Sequence, residues 1–239
     1  MPKFVELWVY LSATPLFGLT ATLVAYVLAH ALYQRVQQAP WANPVLWSVA
    51  VIASVLLATD VPYPTYFSGA QFIHFLLGPA VVALAWPLWQ RRTALRQRWA
   101  SLLAASVLGG AAASGSALGL AWAFDLPMEV VLSLAPKSVT APVAMGIAEK
   151  IGGIPALSAV FAVLTGLVGA LSGRYLFNAM HLPFNSAGWT ARGFALGTAA
   201  HGIGAARALQ VNADAGAYAG LALGMQVVLA SLFMPLLFR

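Results

Sequence analysis

Long apolar segments separated by short polar or proline-containing stretches make up most of this chain. An apolar run of about 20 residues is long enough to cross a bilayer as an α-helix. The pattern predicts apolar segments at residues 7–31, 44–58, 68–89, 102–124, 128–150, 154–171, 193–209 and 217–238. Residues 174–192 mix polar and apolar positions, so we predict a loop or an interfacial helix there. The chain is therefore predicted to be an all-α polytopic membrane protein with about seven or eight transmembrane segments.

Composition supports this class of protein. Of the 239 residues, 61% are hydrophobic and only 8% are charged, whereas soluble domains carry roughly 25% charged residues. We therefore predict a single membrane-embedded domain over residues 1–239. The chain has twelve Lys and Arg residues and six Asp and Glu residues, a net charge of +6. Because the basic residues are scattered and form no continuous basic surface, we expect no nucleic-acid partner. The chain has no cysteine, which excludes disulfides, thiolate catalysis and Cys-bound metals.

Two of the apolar segments carry proline near their centres. Gly78 and Pro79 interrupt the third segment, and Pro136 and Pro142 flank the centre of the fifth. Proline lacks a backbone donor and clashes with the preceding turn, so we predict kinked or broken helices at both places. Backbone groups freed at a break are tolerated at membrane depth only where they line a cavity or are buried in protein.

The fifth segment leaves two topologies open. Full crossing of residues 128–150 gives an eight-crossing chain, whereas a segment that dips in and returns gives a seven-crossing chain. Residues 91–98 contain four arginines and are predicted to form a cytoplasmic loop by the positive-inside rule. That rule favours the seven-crossing version, which places Arg174, Arg192 and Arg239 on the same side. The two segments that are interrupted at residues 78–79 and 202–204 would then cross the membrane in opposite directions, as in transporters built from inverted repeats.

The first candidate site is centred on Lys137. This lysine lies between two prolines and is accompanied by Ser138 and Thr140. A cation, two hydroxyl groups and backbone N–H groups freed by the prolines are the donors that a small anion needs. The alternative is that Lys137 lies near the membrane interface and extends its ammonium group to water.

The second candidate site is the segment from His201 to Arg207. Gly202 and Gly204 permit close approach to the backbone, and Arg207 offers a planar guanidinium for a carboxylate. His201 titrates near physiological pH, which suits proton coupling. The alternatives are a hydrogen-bonded packing role for His201 and contact with lipid headgroups for Arg207.

The third candidate site is Gly78 with Pro79, where only backbone groups could bind a ligand. The alternative is that these residues form a simple proline kink. The sequence shows no phosphate-binding loop, paired carboxylates, nucleophile elbow or metal-binding motif; these are the usual signatures of catalytic sites. We therefore expect no enzyme activity, cofactor or metal.

Several motifs resemble those of the LrgB/CidB family. They are LAPKSVTAPVA at residues 134–144, IGGIPAL at 151–157, ARGFALGTAAHGIGAARA at 191–208, PLFG at 15–18, NPVL at 43–46 and FLLGPA at 75–80. The resemblance implies a bacterial inner-membrane protein that works with a smaller LrgA/CidA-type membrane protein. It also implies holin/antiholin-like control of murein hydrolase export and cell lysis.

The resemblance extends to carboxylate transport, because the plastid glycolate/glycerate transporter contains an LrgB-like half and some bacterial pairs are associated with pyruvate uptake. We therefore expect a secondary transporter or facilitator for glycolate, glycerate, pyruvate or lactate, with a holin-like regulator of lysis as the alternative. The anion is expected to bind between residues 136–142 and 201–207. Glycine-rich residues 109–116 predict close helix packing, within the chain or in a homodimer surrounded by lipid.

Overall fold

The computed structural model describes residues 15–76 and 92–238, together with residues 79, 86 and 89. Within these residues the chain forms nine α-helices, one short 3-10 helix and no strand. This confirms the predicted all-α class. The chain divides into two compact units, Met1–Ala83 and Leu84–Arg239.

The first unit contains helices α1 (Pro15–Arg35), α2 (Pro44–Ala58) and α3 (Tyr63–Phe75), with the 3-10 helix at Pro40–Ala42. Helix α1 packs against both α2 and α3. Asn43 caps α2, since its side-chain oxygen accepts hydrogen bonds from the backbone N–H groups of Val45 (2.9 Å) and Leu46 (3.3 Å). The hydroxyls of Thr22 and Tyr66 join α1 to α3 at 2.7 Å. A polar bond between apolar helices fixes how they pack, because hydrocarbon offers no other partner for these hydroxyls.

The second unit contains helices α4 (Arg92–Ala123), α5 (Met128–Leu134), α6 (Ala141–Ile151), α7 (Pro155–Ala179), α8 (Ser186–Val211) and α9 (Ala213–Leu237). Helix α8 contacts α9 most extensively, and α7 packs against both α6 and α8. Proline in the first turn starts α6 and α7, where the missing N–H would have no helical partner in any case. Gly152 ends α6 with a φ of 87°, a left-handed conformation that glycine adopts without steric cost.

Small residues allow α8 and α9 to pack backbone to backbone. A Cβ added to Gly193 or Gly197 would collide with the carbonyl of Ala215 or Ala219, respectively. This spacing of small residues brings helices together in membranes, where no hydrophobic force drives association. The hairpin of α8 and α9 is therefore the tightly packed part of the second unit.

By length and apolar composition, four helical segments of the described chain can cross a bilayer: Leu16–Arg35, Arg96–Ala123, Pro155–Ala179 and Ala213–Leu237. Helix α8 is long enough, but it is interrupted and contains three basic or titratable residues. Helix α2 is apolar but shorter, at 15 residues. The number of crossings and the inverted repeat therefore remain predictions.

One predicted loop is wrong, and the residues predicted as a loop or an interfacial helix extend two neighbouring helices. Residues 92–98 continue helix α4 rather than forming a loop, because arginine and alanine are good helix formers and a helix can extend beyond the hydrocarbon. Residues 174–192 are largely helical, since α7 runs to Ala179 and α8 begins at Ser186. The fifth apolar segment is broken as predicted, between Leu134 and Ala141. Residues 1–14, Gly78 and Arg239 lie outside the described residues.

Replacing Gly197 with alanine is expected to destabilise the second unit by about 1–3 kcal/mol, because the new methyl group overpacks the contact between α8 and α9. The matched control is Gly224→Ala in α9, where no atom lies within 4 Å of the added Cβ. Thermal unfolding of the detergent-purified variants measures the difference. Equal melting temperatures for the two variants would contradict the packing described.

Candidate functional site

The first break lies between α5 and α6. It forms a tight turn in which Lys137 N–H donates to the Leu134 carbonyl at 3.2 Å and Val139 N–H to the Pro136 carbonyl at 3.1 Å. Ala135 and Val139 are fully buried here, in a cluster with Ala162 of α7 and Ala230 of α9. The irregular backbone is thus enclosed by protein, as membrane depth requires.

Two side chains of this break have polar groups without a hydrogen-bond partner among the residues that the structure describes. Ser138 is 4% exposed, and its Oγ has no hydrogen-bond partner. Lys137 is half-buried, and within the described part of the chain no hydrogen bond or ion pair engages its ammonium group. A buried hydroxyl without a partner is costly, so the pair marks a place where a polar ligand would be stabilised.

The second break lies inside α8. Ala200 has φ −121° and ψ 18°, and His201 has φ 39° and ψ −136°, so the helix stops and restarts here. A positive φ is rare for a residue other than glycine and persists only where the surroundings enforce it. The enforcing contact is with α7, because His201 Nε2 lies 2.7 Å from the Ala162 carbonyl. A carbonyl only accepts, so Nε2 donates and carries the proton.

Glycines of α7 make room for this break. A Cβ added to Gly166 would lie 2.8 Å from both Cε1 and Nε2 of His201. A Cβ added to Gly169 would collide with the Ala200 side chain. The position of the His201 ring therefore depends on Gly166, and that of Ala200 depends on Gly169.

The two breaks meet at Thr140 and Gly202. Thr140 is the N-cap of α6, and Gly202 directly follows the break in α8. A Cβ on Gly202 would lie 3.9 Å from Thr140 Cγ2, which is ordinary van der Waals contact. The N-cap of α6 therefore lies near the start of the second half of α8. The first N–H groups of a helix lack helical partners and carry the positive end of its dipole, so paired N-termini favour an anion.

The remaining predicted residues are placed as follows. Gly204 packs inside the kink, where a Cβ would lie 2.7 Å from the Leu196 carbonyl oxygen. Arg207 is buried on the second half of α8, roughly 7.5 Å along the helix axis from Gly202 at 1.5 Å per residue. Pro79 belongs to the first unit and is exposed. The structure thus brings together the residues of the two breaks, whereas a ligand contact by Arg207, Gly78 or Pro79 stays a prediction.

Arg192 has a packing role that the sequence did not reveal. Its guanidinium donates to Asn178 Oδ1 at 3.1 Å and to the Leu182 carbonyl at 2.5 Å. It also lies 4.4 Å from the centre of the Phe184 ring, a distance at which cations attract aromatic faces. Arg192 therefore fixes the connection between α7 and α8. In the sequence, Asn178 and the aromatic residues around residues 174–192 are the features that could have indicated this role of Arg192.

Comparison with known proteins identifies the family to which the chain is similar. The model of the LrgB-like family matches residues 22–239. An uncharacterised protein of Bacillus subtilis, YxaC, is 34% identical over 215 residues, which cover 90% of this chain and 91% of YxaC. The holin-like protein CidB of Staphylococcus aureus is 31% identical over 217 residues, which cover 90% of this chain and 92% of CidB. No solved structure matches the chain.

Replacing Gly166 with alanine is expected to displace the His201 ring and break its bond to Ala162. In protein labelled with ¹⁵N-histidine, the wild-type resonances of His201 should report a hydrogen-bonded proton on Nε2, and Gly166→Ala should abolish that signature. Gly146→Ala, in α6, is the control because no atom lies within 4 Å of its added Cβ. An unchanged spectrum in Gly166→Ala would contradict the geometry described.

Proposed function

Since the chain belongs to the LrgB-like family, we propose that it carries a small monocarboxylate across the bacterial inner membrane as a secondary transporter or facilitator. The substrates proposed are glycolate, glycerate, pyruvate and lactate. The observation that supports this proposal is the contact between the N-termini of α6 and the second half of α8 at Thr140 and Gly202. A carboxylate there would lie at the positive ends of both helix dipoles.

The charge balance of the site favours an anion. A lysine ammonium group without a protein partner and two positive helix ends lie within or beside the breaks. A helix end stabilises an anion by about 0.3–1 kcal/mol when exposed and by up to about 2 kcal/mol when partly buried. A charge-assisted hydrogen bond contributes about 1.5–3 kcal/mol. Each of these terms lowers the cost of desolvating a carboxylate, a cost that an apolar membrane interior leaves in full.

Each residue has a role in the proposed binding mode. Lys137 supplies the positive charge, Ser138 donates its free hydroxyl, and Thr140 and Gly202 supply the helix ends. His201 accepts or releases a proton during the cycle, as its alternative protonation states allow. Further roles are proposed for Gly204, which keeps the kink compact, for Arg207, which contacts the carboxylate, and for Gly78 and Pro79 through their backbone groups.

The breaks also suggest how access would alternate. Interrupted helices in secondary transporters let one bundle move against another around a fixed binding site. In this chain the hinge would be the non-helical pair Ala200 and His201, which α7 holds in place through Ala162. We further propose a homodimer in the lipid bilayer that works with a smaller LrgA/CidA-type membrane protein.

A second candidate function is holin-like regulation of murein hydrolase export and cell lysis. The relatives favour it directly, because the staphylococcal proteins similar to this chain are named holin-like. In that function the glycines of α8 would serve packing alone, and the buried basic residues would gate a pore. The two functions differ in selectivity, since a transporter saturates and a lesion does not.

Lys137→Met is expected to abolish saturable uptake of radiolabelled glycolate or pyruvate by liposomes that contain the protein, because the site loses its charge. Lys150→Met is the matched control, since Lys150 is exposed at the end of α6, outside the break. Uptake by the control should match wild type. Leakage of large dyes without saturation, equal in wild type and Lys137→Met, would contradict transport and support the holin-like function.

Ser138→Ala is expected to raise the KM for glycolate about tenfold, as loss of one hydrogen bond to a charged group predicts. The maximal rate should change less, since the charge remains. The control is Ser172→Ala, whose hydroxyl bonds to the Val168 carbonyl on the exposed side of α7. An unchanged KM in Ser138→Ala would place the substrate away from the first break.

A further inference from the structure

The second half of α8 folds back along the first half. A Cβ added to Gly204 would lie 2.7 Å from the Leu196 carbonyl oxygen. At 1.5 Å per residue, a straight helix would separate these two residues by about 12 Å. The dihedral angles of Ala200 and His201, which are not helical, therefore reverse the direction of the chain. Residues 186–199 and 202–211 form a hairpin whose tip is the break.

The packing of α9 gives independent evidence for this reversal. A Cβ added to Gly193 would collide with the Ala215 carbonyl, and one added to Gly197 with the Ala219 carbonyl. The separation along the chain is the same in both pairs, so the first half of α8 runs parallel to the start of α9. In a straight α8, Gly193 would lie about 27 Å from Val211, whereas residues 212–215 can span at most about 14 Å. The chain must therefore return to the level of Gly193 before α9 begins.

The first break is also the tip of a hairpin. The backbone N–H of Ile154, which follows α6, donates to Ser133 Oγ at 2.7 Å, near the end of α5. A Cβ added to Gly153 would lie 2.9 Å from the Ser133 backbone nitrogen. Helix α6 runs antiparallel to α7, because the Ser158 hydroxyl donates to the Ala144 carbonyl at 3.3 Å. The chain thus leaves α5, passes through residues 135–140 and comes back along α6 to its point of departure.

The order of the helices indicates where each hairpin begins. Helix α4 ends at Ala123, shortly before α5 begins at Met128, and α7 starts directly after α6. The first hairpin therefore begins at the end where α4 stops and α7 starts. The second hairpin begins at Ser186, close to the end of α7 at Ala179, and is followed by α9 from Ala213. Because α7 is long and apolar enough to cross a bilayer, these two ends belong to opposite membrane faces.

We propose that residues 128–151 and 186–211 are re-entrant hairpins, which enter the bilayer from opposite faces and meet at Thr140 and Gly202. In the second unit α4, α7 and α9 then cross the membrane. A crossing helix followed by a re-entrant hairpin occurs twice, in opposite orientations, as in inverted-repeat transporters that bind substrate near the midplane. This repeat lies wholly within the second unit and differs from the one that the sequence suggested between residues 78–79 and 202–204.

Charged residues indicate which face is cytoplasmic. The face where α4 begins and α7 ends carries the exposed residues Arg92, Arg96, Arg98 and Arg174. The opposite face carries the exposed residues Asp125, Glu129, Glu149 and Lys150. Cytoplasmic loops are enriched in basic residues, so the α8 hairpin enters from the cytoplasm and the hairpin of α5 and α6 from outside.

The two hairpins would then be the two gates of the carboxylate site. The carboxylate would reach Thr140 and Gly202 from the cytoplasm past the α8 hairpin, and from outside past the hairpin of α5 and α6. Movement of one hairpin at a time would open the site to one face at a time. This route of access rests on the proposed function, whereas the folding back of the two segments does not.

Single cysteines in this cysteine-free chain test the topology. Met128→Cys and Lys150→Cys flank the first hairpin, and Ser186→Cys and Ala213→Cys flank the second; all four positions are exposed. A membrane-impermeant maleimide should label the first pair in right-side-out membrane vesicles and the second pair in inverted vesicles, with each signal lost in the opposite preparation. Arg98→Cys is the cytoplasmic control and should be labelled in inverted vesicles. Labelling in detergent shows that each thiol is reactive.

Two results would overturn the hairpins. Labelling of the two members of a pair from different faces would mean that the segment between them crosses the membrane. Labelling of all four positions from the same face would contradict entry from opposite sides, and a thiol that reacts only in detergent would lie inside the bilayer, against the proposal. Glu149→Cys and Ala187→Cys, which are also exposed, replace a variant that fails to fold.

Glycolate uptake by the same vesicles separates the hairpins from the proposed function. Labelling of the two pairs from opposite faces, without saturable uptake of glycolate or pyruvate, would support the hairpins and contradict transport. Saturable uptake together with labelling of Ser186→Cys and Ala213→Cys from different faces would overturn the second hairpin and leave the transport proposal standing.

Discussion

The constraint behind this structure is that a polypeptide surrounded by hydrocarbon must give every backbone N–H and C=O group a partner. The chain interrupts two helices, at residues 135–140 and at Ala200 and His201, and so frees backbone groups at both places. It encloses these interruptions in protein and brings them together at Thr140 and Gly202. We propose that the backbone groups freed at these interruptions form a binding surface.

Small residues make that enclosure possible. Glycines in α7 give space to the His201 ring, and glycines in α8 let α9 approach to backbone contact. The break in α8 is held by a single strong hydrogen bond to Ala162, which packs in the same cluster as Ala135 and Val139 of the other break. The two interruptions therefore share Ala162 as a supporting residue.

Much of the fold could be predicted from the sequence. Apolar periodicity and proline identified most helices and the break around Lys137, because proline acts locally. The end of α7 could not be predicted, since Asn178 at that end bonds to Arg192 of α8, a partner that only the fold supplies. The break at His201 was suggested only by neighbouring glycines, and its cause lies in Ala162 and Gly166, far away in the chain.

We propose that the N-termini beside Thr140 and Gly202 form one carboxylate site. The chain has no cysteine, so a Thr140→Cys, Gly202→Cys variant introduces the only thiols, at positions within van der Waals contact. Oxidation of this variant in membranes should form the 140–202 disulfide, and glycolate should slow its formation in a saturable manner while an equal concentration of chloride does not. Failure to form the disulfide, or formation at the same rate with and without glycolate, would contradict the account.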